Sequence, residues 1–304
     1  MLSLNPLIIV VIGPTAVGKT ALALRMAQLF HTEIISADSR QCFRELNIGV
    51  AKTTPAELEM IPHHFINSHT VHEEVNAAVF EQYALKAVQH IFSKHAIALM
   101  VGGSGLYIDA FCNGLDEIPH VPIDVRNSII DNYHQKGLVW LQEEVKKKDL
   151  AYWEQAEQQN PQRLMRALEV VAVTGKSILH FRSKKNIQRP FRIIKIGLEL
   201  PRAELYQRIN ERVIAMIQDG LAEEVTTLQS LQHLNALQTT GYTELFDYLN
   251  GFVSLNRAIE LIQLNTRHYA KRQITWFKKD PTIQWLHPKT ITNQFILELV
   301  KTIK

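Results

Sequence analysis

One eight-residue stretch, Gly13-Pro14-Thr15-Ala16-Val17-Gly18-Lys19-Thr20, constrains this chain more than any other feature. It follows the apolar run Leu7 to Ile12 and precedes Ala21-Leu22-Ala23-Leu24, an order that reads strand, glycine-rich turn, helix. That is the setting the Walker A pattern requires. Successive backbone N–H groups in such a loop cradle a phosphate, and the helix N-terminus adds a favourable dipole. Gly13, Thr15, Ala16 and Gly18 shape the loop, Lys19 is expected to reach outer phosphate oxygens, and the Thr20 hydroxyl is expected to help hold Mg2+. The loop predicts a polyphosphate ligand without saying which one or what becomes of it.

The same alternation continues downstream. Glu33 to Ala37 reads as a short second strand ending at Asp38-Ser39, and Ala96 to Val101 as another buried strand running into Gly102-Gly103-Ser104-Gly105. Residues 19–30 and 75–92 read as helices, the latter with Val75, Val79, Tyr83, Ala87 and Ile91 near one face. After Leu115 the pattern changes. Pro119 and Pro122 break the chain, and helices are expected from about 123 to 158, with Trp140, Leu141, Val145 and Leu150 as an apolar face. Pro161 fits the first turn of a helix carrying Leu164, Leu168 and Val171 and ending at Thr174-Gly175. Phe191 to Leu198 reads as a strand, Leu205 to Met216 as a helix stopped near Gly220, and a last long helix is expected from after Ser254 to Phe277. The expected class is α/β: a P-loop NTPase-like parallel sheet flanked by helices, with an inserted mainly helical domain. The expected bounds are 1–117 and 159–304 for the core and 118–158 for the insert. Ligands are expected at the carboxyl ends of the strands.

Bulk properties exclude several classes. No apolar run reaches transmembrane length. The first apolar run ends in the phosphate loop, which argues against a signal peptide. Cys42 and Cys112 form neither a metal pattern nor a disulfide framework, so a reduced, cytoplasmic setting is the default expectation, and a monomer the default state. The net charge of +3 announces no nucleic-acid binder, but Arg163 to Lys195 holds nine basic residues against one acid, Glu169. That run reads either as a solvated face or as a surface for a phosphate backbone.

Asp38 stands just past a strand, where it can accept a proton, position Mg2+, or simply cap a turn. Ser104 can donate to a phosphate or cap the following helix. Arg267 and Lys271 share a helical face, with Arg272 about 100 degrees around from Lys271; they read as a solvated face or as partly buried partners of a diphosphate. His63-His64, next to Pro62, are expected in a turn, with no metal pattern around them.

Taken in order, these blocks resemble the bacterial tRNA dimethylallyltransferase family, also called tRNA isopentenyltransferases. The resemblance rests on the Gly13–Thr20 loop, Asp38-Ser39-Arg40-Gln41, Ile48 to Lys52, Gly102 to Tyr107, Asn160 to Glu169, Gly241-Tyr242, and Thr266 to Phe277. It spans almost the whole chain. It implies transfer of a dimethylallyl group from dimethylallyl diphosphate to N6 of the adenine immediately 3′ of the anticodon, in tRNAs reading codons that begin with U. It implies that the target base is displaced from its loop, that the inserted helical region helps clamp the anticodon stem-loop, and that Mg2+ is the cofactor. By residue, it implies Asp38 as acceptor of the amine proton, Ser104 near the transferring group, and Arg267 and Arg272 near the phosphates. Lys19 and the loop would hold diphosphate, and Ser39, Gln41 and Lys52 would line the substrate site. Arg163 and Arg166 would brace the core or touch the anticodon arm. The chain departs from the family pattern at Cys42-Phe43, Val50, Thr53, Asn67 and Val79, which bears on tRNA choice more than on reaction class. An ATP-dependent small-molecule kinase would use the same first loop and could use Asp38 as its base; a tRNA-binding protein without activity is the other alternative.

Overall fold

The computed structural model describes residues 6–182 and 187–301. Its apolar runs form one sheet of parallel strands: β1 (Leu7–Ile12), β2 (Ile34–Ala37), β3 (His63–His64), β4 (Ile97–Gly102), β5 (Arg192–Leu198) and β6 (Gln284–Leu286), in the order β3-β2-β4-β1-β5-β6. β1 is buried at every position, which is why it reads as an unbroken run rather than as an alternation. The order puts β1 in the interior of the sheet, between β4 and β5. The register then fixes the chemistry. Ile12 lies opposite Gly102, and Gly102 opposite Ala37. One residue further along, these three strands deliver Gly13, Gly103 and Asp38 side by side.

The helices are α1 (Lys19–Phe30), α2 (Pro55–Met60), α3 (Ala77–Phe92), α4 (Gly105–Asn113), α5 (Ile123–Lys148), α6 (Leu150–Trp153), α7 (Pro161–Thr174), α8 (Arg202–Gln218), α9 (Leu221–Thr227), α10 (Tyr242–Leu249), α11 (Leu255–Phe277) and α12 (Asn293–Lys301). Ser254 caps α11 by accepting from the Arg257 N–H at 3.3 Å, so the long helix starts where its sequence signal places it. α1 and α8 bury Met26, Ala27, Leu205 and Ile209 in the same core as β1, β4 and β5.

Three expectations are corrected, and one strand was missed. The buried face of α3 is Ala77, Phe80, Ala84, Ala87, Val88 and Ile91; Ala87 and Ile91 were expected on it, while Val75 precedes the Asn76 cap and so lies outside the helix. Val79 and Tyr83 sit at its margin. His63-His64 form no turn; they pair with Ile34 and Ile35 as the short edge strand β3. Leu150 is 54% exposed and lies outside the apolar face formed by Leu141 and Val145. β6, too short to show periodicity, escaped sequence reading.

The chain divides into two compact units: residues 1–112 with 188–304, which carry the sheet, and residues 113–187, which are helical. The helical unit is wider than the 118–158 stretch bounded by its prolines, because α7 packs inside it. Leu164, Met165, Leu168 and Val170 of α7 share a core with Ile129, Leu141, Val145 and Tyr152. α5 is interrupted at Gly137, where φ is 76°. Buried Asp149 ties α6 to the segment after α7: Oδ1 accepts from the Tyr152 N–H at 3.1 Å and Oδ2 from the Ile178 N–H at 3.3 Å. Among the described residues no helix is long and apolar enough to cross a membrane.

Gly102 shows how tightly the strand ends are drawn together. A Cβ there would lie 2.1 Å from the Ala37 carbonyl oxygen, a backbone atom that cannot swing aside. Gly102→Ala is therefore expected to destabilise the sheet unit by about 1–3 kcal/mol. Chemical denaturation of the two proteins would measure this, and equal midpoints and slopes would contradict it.

Candidate active site

The phosphate loop takes the shape its glycines permit. Gly13 and Gly18 have φ of 144° and 103°, and a Cβ at Gly13 would lie 2.6 Å from the Leu198 carbonyl oxygen. Ala16, at φ 64°, holds a conformation unusual for a residue with a side chain, a strain typical of ligand loops. The Lys19 ammonium donates to the Pro14 carbonyl at 2.7 Å, folding back over its own loop.

The two glycine loops are joined by a residue that sequence reasoning missed. Gln273 of α11 is 6% exposed. Its Oε1 accepts from the Thr15 N–H at 2.8 Å, and its Nε2 donates to the Gly103 carbonyl at 3.0 Å. The second loop in turn holds the end of β2. Ser104 Oγ accepts from the Ser39 N–H at 3.0 Å, and the Ser104 N–H donates to Ala37 at 3.2 Å. Asp38 Oδ1 accepts from the N–H groups of Arg40, at 2.9 Å, and Gln41, at 3.2 Å, which is the turn-forming role. The same carboxylate also lines open space.

Two cavities adjoin here. One, of about 330 Å3, contains the phosphate loop residues Thr15, Ala16, Gly18, Lys19 and Thr20, together with Ser36, Gln41 and Arg212. The other, of about 490 Å3, is walled by Ser39, Arg40, Thr239, Thr240, Thr266 and Arg272. Thr15, Asp38, Val50, Ala51, Arg212 and Tyr269 line both. The contact between the two spaces is thus made of named side chains, with Asp38 and Arg212 on it.

Arg212 was also missed. Its Nη1 donates to Thr15 Oγ1 at 3.3 Å, and burial holds its guanidinium below the ordinary arginine range, against the pull of Asp38. A usable signal existed. Arg208 and Arg212 are four apart on α8, flanking the buried Ile209 and Val213, so both point along one edge of the core face. Of the two arginines favoured from sequence, Arg272 lines the second cavity, with its guanidinium 5.8 Å from the Tyr269 ring centre. Arg267 stands apart from both cavities. It donates to Asn210 Oδ1 at 2.7 Å and lies 5.9 Å from the Tyr206 ring centre.

Gln41 and Lys52 are committed to bracing. Gln41 accepts from Ser36 Oγ at 3.2 Å and donates to the carbonyls of Val50, at 3.2 Å, and Ala51, at 3.0 Å. Lys52 donates to the Phe43 carbonyl and to Asn67 Oδ1, each at 2.7 Å, and burial lowers its pKa to about 8. Arg163 and Arg166 belong to the helical unit, where they pair with Glu157 and Glu169, each at 3.0 Å. The basic run that contains them is largely neutralised further along: Arg189 pairs with Glu81, and Lys195 with Asp280. Its Lys184 and Lys185 lie outside the described residues.

The oxygen donors present fit Mg2+. The Thr20 hydroxyl and the Asp38 carboxylate share the first cavity with the loop amides, and this ion typically keeps one or two protein oxygens plus phosphate and water. Among the described residues no group of three or more His, Cys, Asp or Glu side chains could hold a metal by itself.

Lys19 carries the clearest electrostatic signature. Burial, then the Arg212 charge, push its pKa from 10.5 down to about 7, with Asp38 opposing. The unfolded chain keeps this lysine protonated to higher pH than the folded one, so the resulting penalty on stability is full below pH 7 and relieved as pH rises toward 10.5. A bound anion restores the charged form. Binding of inorganic diphosphate at pH 8 should therefore take up more protons in the native protein than in Lys19→Arg, whose guanidinium stays charged throughout. Calorimetry in buffers of different ionisation enthalpy measures the difference; identical proton counts would contradict it.

Comparison with known proteins agrees with this geometry. The family model for IPP transferase matches residues 41–280. A tRNA dimethylallyltransferase 1 of Bacteroides thetaiotaomicron is 45% identical over 296 residues, covering 97% of this chain and 96% of the relative. A tRNA dimethylallyltransferase of Cytophaga hutchinsonii is 42% identical over 289 residues, covering 95% of each chain. Among solved structures, the tRNA isopentenylpyrophosphate transferase of Bacillus halodurans superposes with a TM-score of 0.70 at 32% identity, over 97% of this chain and 95% of that one. A eukaryotic dimethylallyltransferase acting on tRNA shares the fold, with a TM-score of 0.75 at 24% identity, over 97% of this chain and 78% of that one. The two glycine loops, the strand-end carboxylate and the capped helix at Asn160-Pro161 thus lie in a chain that belongs to the tRNA dimethylallyltransferase (IPP transferase) family.

Proposed function

We propose that this protein transfers the dimethylallyl group of dimethylallyl diphosphate to a tRNA, at N6 of the adenine immediately 3′ of the anticodon in tRNAs reading codons that begin with U. The observation that carries the reading is the shared lining of the two cavities. A diphosphate held by the loop in one and a purine held in the other would meet at Asp38, Arg212 and Tyr269. The family relationship supplies the substrate class, and the wall residues supply the roles.

In this reading the loop amides, Lys19 and Arg212 hold the diphosphate and offset the charge that grows on it as the allylic C–O bond breaks. Mg2+, held by Thr20, would supply further charge stabilisation on the phosphate oxygens. Asp38 orients the adenine amine through the oxygen not engaged in the turn and takes up its proton during or after attack on the prenyl carbon. Adenine's amine is a weak base, so alignment contributes more than prior deprotonation. Ser104 acts through Ser39 by fixing the turn that aims Asp38. Arg272 is assigned to the tRNA side of the second cavity, and Arg163 and Arg166 of the helical unit to the anticodon arm. A tRNA substrate supports a cytoplasmic location.

The test is incubation with dimethylallyl diphosphate, Mg2+ and an unmodified tRNA reading UUU, followed by nucleoside mass analysis. A tRNA lacking the adenine beside the anticodon is the control. Prenylated adenosine in the first and none in the second is the expected result. Asp38→Asn should lower the single-turnover rate by about 10²–10⁴ with tRNA affinity little changed; a native rate in that variant would remove Asp38 from the chemistry.

A further inference from the structure

Residues Gly49, Val50 and Ala51 form the wall where the second cavity meets the first, and neither strand nor helix holds them there. Their position is set by a side chain that lines neither cavity. Glu224 of α9 accepts from three successive backbone N–H groups: Asn47 at 3.2 Å and Ile48 at 2.8 Å on Oε2, and Gly49 at 3.2 Å on Oε1. The Tyr242 hydroxyl adds a fourth bond, donating to Oε1 at 2.6 Å. Consecutive N–H groups converging on one point make an anion-binding concavity. Here the protein fills it with its own carboxylate. Tyr242 also presses on the loop from the side, since a Cβ at Gly49 would lie 2.5 Å from its ring.

The carbonyl side of the same loop is fixed separately. Gln41 Nε2 donates to Val50 and Ala51, and the loop closes on itself through Ala51 N–H to Ile48 at 2.9 Å and Lys52 N–H to Asn47 at 3.1 Å. Ala51 is held at φ 47°, a conformation that the chain would leave if released. The wall is therefore clamped from two directions: by a carboxylate from α9 and by an amide from the segment that carries Asp38.

We infer that Glu224, assisted by Tyr242, is a positioning residue that sets the wall Gly49–Ala51 and thereby the alignment of the two substrates, rather than the binding of either. The inference rests on the function proposed above. A carboxylate can accept all four hydrogen bonds. An amide at the same place offers one accepting oxygen and turns two N–H groups toward donors, so the concavity opens. A displacement of an ångström at a wall between reactants costs up to about a hundredfold in rate without removing any contact to either one.

The experiment compares the native protein, Glu224→Gln and Tyr242→Phe. Three quantities are read: the single-turnover rate of prenyl transfer to tRNA with both substrates saturating, the dissociation constants for dimethylallyl diphosphate and for tRNA, and the thermal midpoint. The expected result for Glu224→Gln is a fall of at least about tenfold in rate, with both dissociation constants within about threefold of native. Tyr242→Phe keeps the ring and loses one bond of four, so it should fall in the same direction by about threefold. Transfer rates within about twofold of native in both variants would overturn the inference, as would a loss of rate matched by an equal loss of tRNA affinity. If Glu224→Gln fails to fold, Tyr242→Phe decides alone on the same criteria. An inactive native protein would overturn the parent reading and this inference together; an active native protein beside unimpaired variants would overturn this inference only.

Discussion

The site depends first on one buried amide. Gln273 receives the Thr15 N–H of the phosphate loop and gives its own N–H to Gly103 of the second loop, so the two loops cannot drift apart while it stands between them. Both partners are backbone groups at the end of a tightly packed sheet, where an unpaired donor or acceptor costs about 1–3 kcal/mol. The second loop continues the linkage through Ser104 to Ser39 and so to the turn made by Asp38. The group that would hold a leaving anion and the group that would take a proton are therefore connected by fixed hydrogen bonds, supplied by a helix that begins at Leu255. Gly103 has no side chain for the same reason: a Cβ would lie 2.1 Å from Gln273 Nε2.

A second constraint is electrostatic. Lys19 and Arg212 crowd one small space and are both desolvated, with Asp38 as the opposing charge. Without an anion, two cations at close range in a partly dry cavity repel, and the lysine yields because its proton is the one that can leave. An anion in the cavity reverses this balance and makes both cations useful. The pocket is thus matched to a ligand more negative than one carboxylate can replace. A diphosphate satisfies that requirement, and the charge on it grows when its ester bond breaks. Under the function proposed above, the two cations would favour the separated leaving group over the intact ester, the direction catalysis needs.

Much of the fold was legible because its signals are local. The run Leu7 to Ile12, the loop that follows it, the Asn160-Pro161 start and Gly175 stop of α7, and the Ser254 cap of α11 are each set by residues within a turn of one another. The candidate centre at Asp38, Ser104 and Lys19 was legible because strand ends in a parallel sheet fall in register. What escaped was set by distant partners. Gln273 and Arg212 act on Thr15 from 258 and 197 residues away in sequence; no local pattern marks Gln273, and the Arg208–Arg212 spacing on α8 names no distant partner. Arg267 had the stronger local signal, sitting in a basic block, yet its guanidinium is drawn off to Asn210. The α3 face was read only in part: Ala87 and Ile91 lie on it, but Phe80, Ala84 and Val88 complete it through packing that no local signal shows, and Val75 precedes the Asn76 cap.

The positions singled out in the sequence as unusual for the family have distinct structural surroundings. Asn67 occupies φ 53°, a conformation asparagine adopts more readily than most residues, and its side chain receives Lys52. Burial lowers the Lys52 pKa to about 8, against the opposing charge of Glu224. Cys42 and Phe43 are buried, and Phe43 bridges to His69 through the backbone, so their side chains fill volume behind Asp38 without reaching the cavities. Val50 alone among these departures combines a cavity-lining place with a backbone clamped at its carbonyl by Gln41 and, through its neighbour Gly49, at the amide side by Glu224. The Val50 side chain gives the shared wall an apolar surface, and under the function proposed above a drier wall would protect an electron-poor prenyl group from water. The wall keeps its position through main-chain bonds, so the clamp does not depend on the Val50 side chain.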